Sequence, residues 1–299
     1  MQRRHSNNPI ILDVSHHQGI INWKEIKNTS VKGVYIKLTE GGTFVDPRSY
    51  ENYIGAKNAG LRVGFYHYAH CTNSPEKEAA FFIAQLGQMK LDLPPCLDLE
   101  EDKKKSKEFV SRFAVSWLEH VHKTTGIKPI VYTNYHFAKT FFTNEISRYP
   151  LWVARYSAAN RQGGMQHPGK LSQWQRWAMF QYTDSGRVKG ISTNVDINEM
   201  DYSFFKEVTT NLSMTNNTKG PFVYSKGDRG LGVKQIQQNL LALGFSLPKF
   251  GADGFYGDEL IAAVKKFQNG YGLFSDGIAG ADTLPRLVKE VNNLNNLVY

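Results

Sequence analysis

Cysteine is scarce in this chain: there are two in 299 residues, Cys71 and Cys96. Neither falls in a metal-binding or dithiol spacing, so both are expected as structural free thiols near strand ends. Long apolar runs are missing as well. Nothing approaches the ~20 residues that a membrane-spanning helix requires. The N-terminal stretch Met1–Pro9 carries charge but no apolar core, so no secretory signal is expected. The protein should act inside the cell that makes it, or leave by a route other than its own signal. No His-Glu-x-x-His or paired-cysteine zinc spacing occurs. His16, His17, His67 and His70 therefore read as loop or substrate-contact histidines, and His120 and His122 as the surface of a helix. No metal and no cofactor are expected.

What is present describes a folded protein with an ample core: 41% hydrophobic and 13% aromatic residues. The formal net charge is +9. Residues 1–208 hold most of it, with 27 Lys and Arg against 20 Asp and Glu, while residues 223–299 are nearly balanced at 8 against 7. A basic surplus points to a polyanionic partner, either nucleic acid or an acidic cell wall. Helix-turn-helix, zinc-finger and aromatic ribonucleoprotein signatures are absent, which moves nucleic acid behind the wall.

Strand and helix patterns alternate through the first 200 residues. Strands are expected at 10–14, 33–38, 61–68, 97–100, 128–133, 151–156, 178–182 and around 195–197. Helices are expected at 47–60, 74–89 and 104–125; in the last, Val110, Phe113, Trp117 and Val121 recur at three or four. This alternation predicts an α/β fold on a parallel sheet, open or closed into a barrel.

Residues 94–100 read Pro-Pro-Cys-Leu-Asp-Leu-Glu. On a strand, Asp98 and Glu100 would share one face about 6–7 Å apart. Like charges so close disfavour ionisation, and a protonated acid beside a carboxylate is what glycoside hydrolysis uses. The other reading of the same residues is that the strand ends here and both acids open a solvated loop. The run Glu101-Asp102-Lys103-Lys104-Lys105 places a loop by residue 101 in either case. Asp13 falls near the end of the first strand, and C-terminal strand ends form the active face of a β/α barrel.

Residues 209–222 are polar and turn-rich and read as a linker. Beyond it, Asp253-Gly254-Phe255-Tyr256-Gly257 is echoed by Asp276-Gly277-Ile278-Ala279-Gly280. Each turn precedes a helical pattern, so 223–299 is expected to be a small all-α domain of three helices.

Several segments occur in a telling order. They are Asp13–Gly19 with Trp23, Lys37–Gly41, Ala59–Tyr68, Asp98–Glu100, Ile130–Thr133, Leu151–Tyr156, Gln181–Thr183 and Val195–Asn198. Through them residues 10–202 resemble the family 25 glycoside hydrolases, Chalaropsis-type lysozymes common among phage endolysins. Residues 226–288 resemble the helical peptidoglycan-binding module of wall hydrolases, by Gly227–Gly230, Gln237, Leu243-Gly244, both Asp-Gly turns, Phe267-Gln268 and Thr283. Leu260 stands where the first repeat usually has Thr.

The resemblance implies a flattened, irregular TIM-like barrel over residues 1–208. It implies hydrolysis of the β-1,4 bond between N-acetylmuramic acid and N-acetylglucosamine. By matching position Glu100 is the general acid, Asp98 its carboxylate partner, and Asp13 and Asp196 complete an acidic cluster. An aspartate could attack the sugar, or orient the substrate's own acetamido oxygen; the second is preferred, a known departure from the two-carboxylate scheme. Tyr66, Tyr132, Trp152, Tyr156, Gln181 and Tyr182 are candidate sugar contacts, although the aromatic ones suit plain barrel packing equally. The expected partner is bacterial peptidoglycan, with neither nucleic acid nor membrane, and the expected state a monomer. The expected setting is a phage endolysin, held in the host cytoplasm until a separate holin-type release. A non-catalytic wall-binding protein is the alternative, and the complete quartet of acids argues against it.

Overall fold

Eight strands close into a barrel in the computed structural model, which describes residues 1–86, 89–156, 165–216, 223–280 and 282–296. Strand β1 (Ile10–Val14) pairs in parallel with β2 (Val31–Glu40). From β2 the parallel ladder continues through β4 (Arg62–Tyr68), β5 (Cys96–Asp98) and β6 (Ile130–Asn134). It then runs to β7 (Leu151–Ala154) and β8 (Met179–Gly186). Strand β9 (Val195–Met200) lies antiparallel between β8 and β1 and closes the ring. The two-residue β3 (Phe44–Val45) pairs only with β2, outside the ring.

The all-parallel expectation therefore fails at one strand of the ring, β9, and at the short β3 outside it, which is antiparallel to β2. Parallel neighbours need a long crossover. From β7 to β8 it is the long segment 155–178, with no helix among its described residues, and elsewhere helices supply it. They are α1 (Trp23–Ile26), α2 (Ser49–Asn58), α3 (Pro75–Leu86), α4 (Lys107–Thr125) and α5 (Tyr135–Phe141). Between β8 and β9 there is only the short connection 187–194, so the chain reverses and β9 runs antiparallel.

The long helix α4 forms where its pattern predicts. Ser106 caps it by accepting a hydrogen bond from the Phe109 amide at 3.2 Å, and Gly126 ends it in the left-handed conformation. Val110, Phe113, Trp117 and Val121 are its buried stripe. Inside the barrel Ile11, Tyr35, Cys96, Ile130, Trp152, Met179 and Met200 pack together. Gly64 admits Tyr35 to this core: a Cβ there would stand 2.5 Å from the tyrosine ring. Both cysteines are buried free thiols.

Helix α6 (Tyr202–Asn216) follows the barrel and corrects the expected linker. Its turn-rich sequence stays helical past Thr209 because Val208 and Leu212, one turn apart, are both buried. Residues 217–222 of that linker lie outside the described residues. The chain divides into two compact units, one of Met1–Ile83 with Leu91–Thr215 and one of Ala84–Lys90 with Asn216–Tyr299.

The second unit carries α7 (Leu231–Ala242), α8 (Asp258–Gly270) and α9 (Thr283–Asn296) around Val233, Ile236, Leu240, Tyr256, Val264, Phe267 and Leu287. The sequence echo is a structural repeat. The Gln237 amide donates to Asp253 Oδ1 at 2.7 Å and accepts from the Gly254 amide at 2.7 Å. Gln268 does the same with Asp276 Oδ1 and the Gly277 amide, both at 2.8 Å. In the second copy Gln268 also donates to Thr283 Oγ1 at 3.0 Å. In the first copy Leu260 takes that place, buried and apolar, so the clamp loses one bond and keeps its form.

Candidate active site

Strand alternation aims one parity of each strand at the barrel axis. Toward the C-terminal ends of the parallel strands that parity turns from apolar to polar. Ile11 is followed by Asp13, Tyr35 by Lys37, and Cys96 by Asp98. Asp13 lies directly across from Asp196 in the β1–β9 ladder. Asp98 sits between Tyr68 on β4 and Tyr132 on β6. Glu100 stands just past the end of β5, where the Leu99 amide still donates to the Tyr132 carbonyl at 3.1 Å. The acid pair is thus both things the sequence allowed: Asp98 ends the strand, and Glu100 begins the loop yet stays in the site.

These side chains line a cleft of about 240 Å³. Asp13, Asp98, Glu100 and Asp196 share it with Tyr66, Tyr132 and Trp152. Ser15, Lys37 and Tyr68 also line it and were not among the candidates, as does His17, one of the histidines read as loop or substrate contacts. Lys37 had a readable signal, since a lysine inside the apolar run Val34–Leu38 is rarely buried without a partner. It is 8% exposed, and its ammonium meets Glu40 Oε2 at 2.5 Å.

Asp13 is the hub of an amide relay. Its Oδ2 accepts from Gln181 Nε2 at 2.8 Å and from Asn198 Nδ2 at 2.7 Å. Tyr132 donates to Gln181 Oε1 at 2.8 Å, and Tyr156 donates to the same oxygen. Trp152 donates its indole N–H to Asn198 Oδ1 at 2.7 Å. The polar groups of Gln181 and Trp152 are therefore engaged in holding Asp13, and Gln181 is fully buried. Trp152 and Tyr132 line the cleft with their polar groups already bonded. Asn198, quoted in the motif but not taken as a site residue, completes the relay.

Tyr182 is a correction. It has the opposite parity to Gln181 on β8 and points away from the cleft, with the Arg4 guanidinium 3.4 Å from its ring centroid. Arg4 also pairs with Glu199 at 2.7 Å, so the N-terminal segment straps the outer side of β8 and β9.

The histidines divide in the same way. His67 is fully buried between Thr39 Oγ1 at 2.8 Å and Glu78 Oε2 at 2.9 Å, and stacks on Trp117. His16 bonds Asp46 and His70 bonds Glu40, each at 2.7 Å. Only His17 lines the cleft. Among the described residues, no group of three or more such side chains is arranged to hold a metal ion.

Burial sets the electrostatics. It raises all four acids above the ordinary carboxylate range. For Asp98 the charges of Glu100 and Asp13 add to burial, and Lys37 offsets part. For Glu100 a hydrogen bond from Asn134 Nδ2, at 3.3 Å, opposes burial. Asp196 is pushed up to about 9 by burial and then by the charge of Asp13. One proton shared across the Asp13–Asp196 pair relieves that repulsion.

A stability test follows from the sign of this shift. Asp196 binds its proton more tightly folded than unfolded, so its contribution is full below about pH 4 and is lost as pH rises toward 9. Asp196→Asn should therefore melt higher than the parent at pH 7–8, with the gain vanishing below pH 4. Even ~1 kcal/mol would move Tm by about 2–4 °C in a domain of this size. Thermal unfolding across that pH range measures it, and a pH-independent difference would contradict the shared-proton picture.

The family models agree with this geometry. Residues 12–191 match glycosyl hydrolases family 25, and residues 229–287 match a peptidoglycan binding domain. The autolytic lysozyme of Clostridium acetobutylicum is 32% identical over 276 residues, covering 91% of this chain and 76% of that protein. The crystal structure of a bacterial lysozyme from Streptomyces coelicolor superposes with a TM-score of 0.62 at 27% identity, covering 69% of this chain and 99% of that one. The CTP1L endolysin superposes at 0.58 with 30% identity, covering 68% and 70%. A family model over more than half of the chain, and a 32% identical lysozyme covered over 76% of its length, assign this barrel: the chain belongs to glycosyl hydrolase family 25 and is a muramidase, a glycoside hydrolase acting on peptidoglycan.

Proposed function

We propose that Glu100 is the general acid and that Asp98 acts through the substrate's acetamido group. One observation carries this reading. Asp98 Oδ1 is buried at the cleft and has no hydrogen-bond partner among the described residues. A buried acceptor left unpaired is costly, and such groups are few in folded proteins. An acetamido N–H on the sugar bound over β5 would satisfy it. Asp98 would then turn the acetamido carbonyl oxygen toward the anomeric carbon.

The step balances simply. The glycosidic bond breaks, and its oxygen takes the proton of Glu100. The acetamido oxygen closes on the anomeric carbon, and the ionised form of Asp98 steadies the positive ring so formed. Water then opens that ring, giving its proton to Glu100 and its hydroxyl to the sugar. Asp13, held by Gln181 and Asn198, forms the floor of the cleft together with Asp196, which bonds it. The bond cut is the β-1,4 link on the reducing side of N-acetylmuramic acid. The second unit tethers the enzyme to the wall, raising effective substrate concentration without altering the chemistry. A phage endolysin released by a separate route is the setting we favour, supported by the likeness to an endolysin structure. Among the described residues no helix is long and apolar enough to cross a membrane.

Mass spectrometry of digested peptidoglycan tests the bond. New N-acetylmuramic reducing ends are the expected result, and proton NMR of the freshly released product should show retained configuration. New N-acetylglucosamine ends, or free peptide termini without glycan cleavage, would overturn it.

A further inference from the structure

The second unit holds a cavity of about 600 Å³, larger than the catalytic cleft. It is built on only one of the two turn clamps. Its lining includes Lys226, Gln237, Lys249, Phe250, Phe255 and Asp258. The two clamps differ in what lies between the glutamine and the turn. Sixteen residues separate Gln237 from Asp253, whereas eight separate Gln268 from Asp276. The longer loop of the first copy contributes Lys249 and Phe250 to the cavity rim.

That loop is fastened in place. Both oxygens of Glu259, at the start of α8, accept backbone amides from it: Lys249 N–H at 2.7 Å and Phe250 N–H at 3.1 Å. The Phe250 ring is nevertheless 67% exposed. An apolar ring kept in water on a pinned loop suits a contact with something outside the chain. Behind it the floor is Leu260, buried and apolar where the second copy has the hydrogen-bonded Thr283.

The charges sit at the rim and have both signs. The Lys249 ammonium has no ion-pair partner among the described residues. Asp258 pairs with Lys226 at 2.6 Å, but the two side chains are 80% and 67% exposed. Such a pair is worth little in water and can be exchanged for a ligand charge. Apolar floor, aromatic rim and separated charges of opposite sign match a short zwitterionic peptide better than a glycan. An aromatic ring can stack on a sugar face as well, but separated charges of opposite sign have no counterpart among the hydroxyls of a glycan. Peptidoglycan offers such a peptide: the stem, with small methyl side chains, carboxylates along its length and a free amine on its diamino residue.

Given that this module binds the wall, we infer that it grips the stem peptide and not the glycan, in the cavity between the 247–250 loop and the start of α8. Lys249 takes a stem carboxylate, Asp258 the free amine, and Phe250 with Phe255 cover the alanine methyls.

The test uses the full chain carrying Glu100→Gln, so that it binds without cutting. One arm titrates a synthetic stem tetrapeptide, N-acetylated and with a free diamino side chain. The other arm pellets the protein with sacculi coupled to beads through their glycan strands, either intact or stripped of stems by an amidase. Saturable peptide binding is expected. Lys249→Glu and Phe250→Ala should each weaken it about tenfold or more, as loss of an anchor does. Phe274→Ala, at another exposed ring (86%), should leave it unchanged. Pelleting with stripped sacculi should drop to the level of Lys249→Glu on intact ones. Equal pelleting with both kinds of sacculi, unmoved by the two rim variants, would overturn the inference while leaving wall binding intact. A chain that pellets with neither would overturn the wall-binding reading itself.

Discussion

A Glu100→Gln protein should keep its fold and lose about 10²–10⁴-fold in turnover, the usual contribution of a positioned general acid. The substitution is nearly isosteric. A Gln oxygen can still accept from Asn134, so circular dichroism should match the parent, and melting near neutral pH should not fall and should rise slightly, since burial raises Glu100 as it raises Asp98. What disappears is the proton that the leaving oxygen needs. Two further readouts separate this from a structural effect. A substrate with an activated aryl leaving group needs no acid, so the defect should shrink sharply on it. The alkaline limb of the parent's pH–rate profile should also vanish. Burial raises Glu100, so the parent stays protonated, and active, to a higher pH than a free glutamate would allow. Activity is then lost as pH climbs through the raised value. A Glu100→Gln enzyme with near-normal turnover on natural walls would refute the assignment.

Asp98→Asn should cost about 10²–10³-fold in kcat, comparable to removing one preorganised charge-stabilising group. Asparagine keeps a carbonyl oxygen for the acetamido N–H, so KM should move little. It has lost the negative charge that steadies a cationic ring in the transition state, so the loss belongs in kcat. The parent carries Asp98 well above the ordinary carboxylate range because burial and Glu100 disfavour its charge. Relief of that cost should make Asp98→Asn slightly more heat-stable than the parent near neutral pH, a sign opposite to that of a structural lesion. If the defect falls wholly in KM, Asp98 merely binds. If a fluorinated substrate leaves a glycosyl adduct on Asp98, the aspartate attacks directly and the acetamido route is wrong.

Local pattern settles much of this protein before any tertiary contact is considered. The apolar stripe of α4, the strand runs from Ile10 to Ile130 and the paired Asp-Gly turns are all legible, because their signals lie within one turn or one strand of each residue. Asp98 and Glu100 are legible for the same reason. Period-2 alternation over three residues already puts them together, and buried acids in an apolar setting are uncommon enough to be noticed.

Closure of the barrel is a different kind of fact. Asp13 and Asp196 are far apart in the chain and become neighbours only because β9 reverses and pairs with β1. That reversal depends on the short connection 187–194, too brief for a crossover, not on anything within β9. The roles of Gln181, Asn198 and Trp152 follow from it, since each finds its partner across the closed ring. Tyr182 shows the same limit from the other side: one step along β8 separates a relay residue from one packed beneath Arg4, and composition does not distinguish the faces. Sequence alone determined which residue types the site holds and which elements carry them. Tertiary structure decided which acids share a proton, which tyrosines face the cleft, and that Asp98 keeps an unpaired oxygen there. Those properties arise from burial and from hydrogen bonds between distant strands, and both exist only once the sheet has closed.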